Sequence, residues 1–288
     1  MSTHAALRWF LSLAILFTVG RAEAAAPTAI SRIPFTITKP GRYLLSKSLT
    51  ISTNFNAITI AADNVTLDLG DWTLEAIGLA NTTHPSAAIF SLSQKNITIR
   101  NGTIRGFFRG IQLDQLDGAA HLVENVRTVD CKYLGIEVQG KGSTVRRNRV
   151  FNTGGATSFL LERIGIAVAG DSINVTDNEV SDVVLNSTNG TDRAFGIRIQ
   201  NSRSSNVSGN RVLNSLDLFP GLATPTSGII FQQCGWCIAA GNQVSGYSVG
   251  LEFTNSGASA YSGNTVARAF TPYKVTGDGV TVGAGNTP

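Results

Sequence analysis

Between positions 132 and 198 the sequence gathers ionisable side chains that it elsewhere spaces thinly: Lys132, Glu137, Glu162, Arg163, Asp192, Arg193 and Arg198. Cations set beside acids suit the abstraction of a proton next to a carboxylate, as in β-elimination or epimerisation of a uronate. A cation must neutralise that carboxylate while a base reaches the carbon-bound proton. Arg198 or Arg193 fits the first role and Lys132, or another basic residue, the second. Glu162 and Asp192 offer an alternative, an acid pair for glycoside hydrolysis, in which the carboxyl separation sets the stereochemical course. Beyond residue 25 only His84 and His121 remain, so a histidine base has few candidates. A Ca²⁺ held by Glu137, Asp114 and a loop acid is conceivable, but about six to eight oxygens are needed and no dense acidic motif exists. No resident metal or other cofactor is expected. The competing reading is structural: outward charges are usually solvated surface, and Glu-Arg or Asp-Arg neighbours often hold loop ends.

What would bring these residues together is a repeat. A short apolar strand led by glycine recurs at Gly110, Gly135, Gly165, Gly196, Gly228 and Gly250, each followed by Ile or Leu. A second signature, Asn-x-Val, follows each one, with its asparagines read at Asn125, Asn148, Asn178, Asn210, Asn242 and Asn264. Their intervals run 23, 30, 32, 32 and 22 residues, a base period lengthened three times by insertions. Alternation along each strand turns Ile inward and its neighbour outward, so stacking puts like residues about 4.8 Å apart. Ile111, Ile136, Ile166, Ile197, Ile229 and Leu251 should form one internal column. The asparagines should form a ladder of bonded amides, opened one coil early by Asn101. This predicts an all-β chain, a single-stranded right-handed parallel β-helix or solenoid. Residues 28–50 read as an N-terminal cap and 270–288 as a weaker cap at the other end. A leucine-rich solenoid competes, but its Leu spacing and helical segments are absent.

Stacking also sorts the outward side chains. One column reads Gln112, Glu137, Ala167, Arg198, Ile230 and Glu252; the next reads Asp114, Gln139, Ala169, Gln200, Gln232 and Thr254. Gln112, Asp114, Glu137, Gln139, Gln200, Gln232 and Glu252 would bond rows of sugar hydroxyls, giving a track for an oligosaccharide. The insertions, near 152–163, 183–194 and 214–227, should rise as a wall along one edge of it. Gly70 to Trp72 and Gly78 to Pro85 read as further loops.

The first 25 residues look like a bacterial signal peptide: Arg8, an apolar stretch from Trp9 to Val19 too short to span a bilayer, then Ala22-Glu23-Ala24. Residues 26–288 would then be one exported domain, secreted or periplasmic, monomeric and without a membrane span. A net charge of +4 without any Lys/Arg run gives no reason to expect nucleic acid. Cys131, Cys234 and Cys237 read as small buried residues or a local disulfide, with Cys131 in a turn equivalent to the other two. Trp72 and Trp236 could stack on sugar rings, but burial is the expectation for both. The Asn-x-Ser/Thr triplets, Asn64 and Asn186 among them, follow from coil composition rather than glycosylation.

The segments "ITKPGRYLLSKSLTI", "AITIAADNVTLDLGDWTL" and "KNITIRNGTIRGFFRGI", with "NRVFN", "NEVSD" and "NRVLN" closing later coils, resemble exported bacterial right-handed β-helix proteins of the pectate-lyase-like superfamily. The likeness covers most of residues 28–268. It implies the fold, and an activity drawn from polysaccharide lyases, glycoside hydrolases, uronate epimerases or non-enzymatic members. The sequence departs from each catalytic pattern: the Asn-Thr-Asp, Asp-Asp and His-Gly of polygalacturonases, the Trp-x-Asp-His of pectate lyases and the Asp-Pro-His/Asp of alginate epimerases are missing. The expected function is thus an exported carbohydrate-active protein, a lyase or epimerase of an acidic polysaccharide. The alternative is a non-catalytic glycan-binding, envelope or adhesion scaffold.

Overall fold

The computed structural model describes residues 26–78, 86–114, 119–155, 162–185, 193–215 and 226–288. Among these residues every regular element is a strand, and every pairing is parallel to the strand one coil away. The result is a right-handed parallel β-helix with three faces. The glycine-led face stacks ten strands, from Phe35–Ile37 through Leu134–Gln139, Glu162–Ala169 and Arg193–Arg203 to Thr271–Thr276. The second face includes Val65–Asp68, Thr144–Arg146 and Asn206–Ser208, and the third includes Thr73–Ala76, Arg149–Gly154 and Arg211–Leu213. Ile97–Arg105 and Leu122–Val129 bend across the corner and serve both.

The corners explain the composition. Most turn through residues in the left-handed region, such as Ser172 (φ 55°), Asp177 (φ 56°) and Asp182 (φ 58°) within a single coil. Asn and Asp tolerate that region better than other non-glycine residues, because their short polar side chains bond locally. The expected internal column is present, with Ile111, Ile136, Ile166, Ile197, Ile229 and Leu251 in one unbroken register and buried. It extends to Ile89 and Ile58 at one end and Tyr273 at the other. The leading glycines are required by the approach of the next face. A Cβ on Gly165 would stand 2.5 Å from Val180 Cγ1 and 2.6 Å from the Gly196 carbonyl.

The asparagine ladder exists with a different start. Asn148 donates its backbone N–H and its amide to Asn178 Oδ1, each at 3.0 Å, and the pattern repeats through Asn210, Asn242, Asn264 and Asn286. Asn125 and Asn101 do not belong to it. Register pairs Val126 with Asn148, so both earlier asparagines sit one place before, as left-handed corner residues (φ 54° and 55°). A sequence motif anchored on Asn slips by one there because both sites favour the same amide, for different reasons.

The terminal segments continue the coil. Residues of 28–50 pair strand for strand with the following coil, Phe35 opposite Ile58 and Leu49 opposite Leu74. At the other end Thr271–Thr276 pairs with Val249–Thr254, and aromatic rings of Phe231, Phe253, Tyr261 and Tyr273 stack at 4.6 to 5.7 Å. No helix among the described residues is long and apolar enough to cross a membrane.

Candidate functional site

The outward columns stand in the expected register: Gln112, Glu137, Ala167, Arg198, Ile230 and Glu252 in one, with Gln139, Ala169, Gln200, Gln232 and Thr254 beside it. They do not form an unbroken polar track. Ala167, Ile230 and Glu252 are buried on this outer side. Ala167 and Ile230 belong to a second apolar cluster with Leu134, Ile164 and Phe195, the residues just before the glycine in three successive coils. The signal for it was present, since a large apolar residue precedes Gly135, Gly165 and Gly196 and not Gly110 or Gly228. Alternation counted from the isoleucine places only the other parity outside. Glu252 is engaged structurally, accepting from Ser227 Oγ at 2.6 Å and Lys274 Nζ at 2.8 Å.

Where the column narrows to alanine, the face is notched. Ala167 and Ala169 floor a cleft of about 90 Å³, walled by Glu137 and Gln139 on one coil and Arg198 and Gln200 two coils on. The walls stand roughly 10 Å apart at the backbone, twice the strand spacing. Arg198 donates to Glu162 Oε2 at 2.6 Å and lies 6.0 Å from the Phe195 ring centre. Burial raises Glu137 above its ordinary range, with Asp114 adding to the effect; the hydrogen bond from Gln139 Nε2 (3.0 Å) and the charges of Arg109 and Arg198 only partly oppose it. Tyr133 is raised too, chiefly by burial, and stacks against Phe108, with the Arg109 guanidinium over both rings. The same pairing within a coil holds Asp114, which accepts from Gln112 Nε2 at 3.1 Å.

Of the residues expected to converge, the structure joins Arg198 and Glu162 directly and sets Glu137 across the notch from Arg198. Arg193 is exposed and stands opposite Glu162 in register. Arg163 is buried, its Nη1 donating to the Glu162 carbonyl at 2.8 Å. Lys132 lies at the corner near Gly155, and among the described residues its ammonium makes no hydrogen bond or ion pair. Asp192 and His84 lie outside the described residues. His121 is no candidate base: buried in the second face, it accepts the Ile97 N–H through Nδ1 (3.3 Å), and burial lowers its pKa to about 4. No group of three or more His, Cys, Asp or Glu side chains among the described residues could hold a metal ion.

The insertions share one corner. The flanking strands Arg149–Gly154, Glu179–Val184 and Arg211–Leu213 are in register before them, and Glu162–Ala169, Arg193–Arg203 and Thr226–Gly235 after them. Thr73–Ala76 on the third face and Ala87–Leu92 on the glycine-led face flank the Gly78 to Pro85 stretch, of which residues 79–85 lie outside the described residues. The loop interiors, 156–161, 186–192 and 216–225, lie outside the described residues. Two expectations are corrected. Trp72 and Trp236 are exposed, 44% and 61%, not buried. Cys131 sits at a different corner from Cys234 and Cys237, which replace serines in hydrogen-bonded columns with Ser256 and Ser259. All three are free buried thiols; burial raises Cys131 to about 12, and the hydrogen bond between Cys234 and Cys237 raises the first and lowers the second.

Among solved structures, the chain is similar to the A-module of Azotobacter vinelandii mannuronan C-5 epimerase AlgE6, at 14% identity over 88% of this chain and 90% of that one, with a TM-score of 0.42. The enzymatically active domain of bacteriophage CBA120 tailspike protein 2 is 12% identical over 86% of this chain and 42% of its own, with a TM-score of 0.46. The periplasmic alginate epimerase AlgG is 11% identical over 86% and 77%, with a TM-score of 0.40. No curated protein matches the sequence. Residues 87–267 match the family model described as the right handed beta helix region, the stretch in which the asparagine ladder and the glycine-led face are most regular, and the chain belongs to that family.

Proposed function

We propose that the protein is an exported carbohydrate-active β-helix whose glycine-led face binds an acidic polysaccharide at the Ala167–Ala169 notch. In this reading residues 1–25 are a signal peptide, residues 26–288 are one monomeric domain begun by a cap at 28–50, and the destination is secreted or periplasmic. The observation that carries it is Arg198, a guanidinium held by Glu162 at 2.6 Å at the mouth of a cleft walled by Glu137, Gln139 and Gln200. A uronate carboxylate would take over the Arg198 fork, since planar bidentate pairing favours a carboxylate. Glu162, released beside it, would then be the base for the proton next to the substrate carboxylate. Glu137, whose raised pKa keeps its proton above the usual carboxylate range, would supply a proton to the departing oxygen or to the opposite ring face. The base role passes from Lys132 to Glu162 because, among the described residues, the Lys132 ammonium has no hydrogen bond or ion pair to the Arg198 group.

Incubation of the mature protein with pectate, alginate and neutral glycans tests the reading, following unsaturated ends by ultraviolet absorbance and epimerised units by NMR. Arg198→Ala should lower turnover of the responsive polymer by about 100-fold or more, the scale of losing a charge-stabilising donor. Turnover that survives this change removes the notch as the active site. A second reading, glycan binding without chemistry, is favoured by one feature: Asp114, Glu137 and Glu252 are each already bonded to a neighbour on the same face. Retained glycan affinity without turnover would select it.

A further inference from the structure

The corner between the second and third faces, which the glycine-led strands never touch, carries a larger cleft. It measures about 380 Å³ and is lined by Asp71, Gly102, Asn125, Arg127, Arg147 and Arg149, with Thr103 on its floor. An overhang builds it. Asp68 pairs with Arg100 and Thr73 with Thr103, so the chain between has two residues more than its partner. The surplus turns out at Gly70 (φ 58°) and Asp71 (φ 62°) and is pinned at 2.9 Å by Trp72 N–H to Leu69 O and by Thr103 N–H to Trp72 O. Gly102, at φ 107°, lets it lie close: a Cβ there would stand 2.6 Å from Leu69 Cβ.

Below the overhang the charges are unbalanced. Arg127 and Arg149 stand directly opposite on adjacent coils, an arrangement of like charges that destabilises a sheet unless something neutralises it. Arg149 shares Glu179 with Arg211 (3.6 and 2.8 Å), and Arg147 shares Glu124 with Arg146 (3.1 and 2.8 Å). Arg127, among the described residues, has no hydrogen bond or ion pair at its guanidinium, and all three arginines are exposed. Among the described residues that line the cleft, Asp71 is the one carboxylate.

We propose that this cleft is a separate anion subsite, taking the carboxylate of a sugar acid between Arg127 and Arg149. Each guanidinium can offer a planar oxyanion the forked pair of N–H donors of a charge-assisted bidentate bond, and adjacent coils set two such forks side by side. The volume lies in the range of small-molecule sites, about 300–1,000 Å³, and exceeds the needs of a bare inorganic anion. Asn125 and Thr103 supply the neutral donors and acceptors that ring hydroxyls call for. The site does not depend on the notch at Ala167.

Calorimetric titration separates the two when carried out on the Arg198→Ala protein, with galacturonate, galactose and inorganic sulfate as probes. Galacturonate should bind, weaken with added salt, and exceed both galactose and sulfate by about tenfold. Arg127→Gln with Arg149→Gln should cost at least about tenfold at an unfolding midpoint no lower than the parent's, since the facing like charges are removed, and Arg127→Lys with Arg149→Lys should restore part of the affinity. Affinity untouched by the glutamine pair, or equal for galactose, overturns the proposal. Sulfate binding as tightly as galacturonate overturns the sugar-acid assignment in favour of a free inorganic oxyanion.

Discussion

His121 shows how burial, rather than residue type, decides a role. It occupies a second-face column that continues as Ser143, Ile173, Ser205, Cys237 and Ser259, and its Nδ1 serves as a plain acceptor for the Ile97 N–H. A histidine lowered from 6.5 to about 4 is neutral in the fold and charged more readily in the unfolded chain. The unfolded state therefore binds more protons between those values, and stability rises with pH across that window. The protein should lose on the order of 3 kcal/mol of stability as pH falls from 6.5 to about 4, read as a falling unfolding midpoint. His121→Ser, copying the neighbouring coil, should remove that acid sensitivity; an unchanged pH profile in the variant would assign it to other groups. Glu137 runs the opposite way. Its raised pKa means the native state holds the proton more tightly, so its contribution declines with rising pH, and Glu137→Gln should gain on the parent protein in moving from acidic to neutral solution.

At the scale of the element, the coil is held by side chains that complete the backbone ladder at its corners. Asn178 accepts from Asn148 twice and donates to both Val145 O and Asn210 Oδ1, all while buried. Removing it strands a backbone N–H and a carbonyl, each expensive to leave unpaired. Asn178→Ala should cost about 3 kcal/mol, measured by denaturant midpoint. A Cβ at Gly165 meets Val180 and a neighbouring carbonyl with nowhere to move, so Gly165→Ala should cost a similar ~3 kcal/mol through overpacking. Less than about 1 kcal/mol for either would mean that the corner relaxes and the repeat is softer than its packing implies. The motifs Gly-Ile and Asn-x-Val made these elements legible, because each coil needs the same small residue and the same amide at the same place. The slip at Asn125 marks the limit: an asparagine also suits the left-handed corner one residue earlier, and only the strand register separates the two sites.

Across the whole molecule each coil touches only its neighbours, so stability adds along one dimension and the end coils lack a partner on one side. Amide exchange should be slowest in the central strands, such as Leu122–Val129, Leu134–Gln139, Glu162–Ala169 and Arg193–Arg203, and faster in the terminal strands Thr28–Ile30 and Thr281–Val282. Uniform protection along the chain would show that the stack unfolds as a single unit. The fold, the internal apolar column and the outward columns around Arg198 follow from the sequence by itself. A period near 22 residues with alternating polarity has one economical solution, which stacks like on like. The tertiary structure decided the rest. It showed that Ala167 and Ile230 are buried beside Leu134, Ile164 and Phe195 rather than facing solvent, that Arg198 is paired with Glu162 while Lys132 stands apart, and that Arg127 and Arg149 meet under the overhang at Asp71. Each of these depends on where the chain bends at a corner and what the next coil sets beside it. Spacing along one strand does not carry that information, because a one-residue bend changes which face a side chain joins.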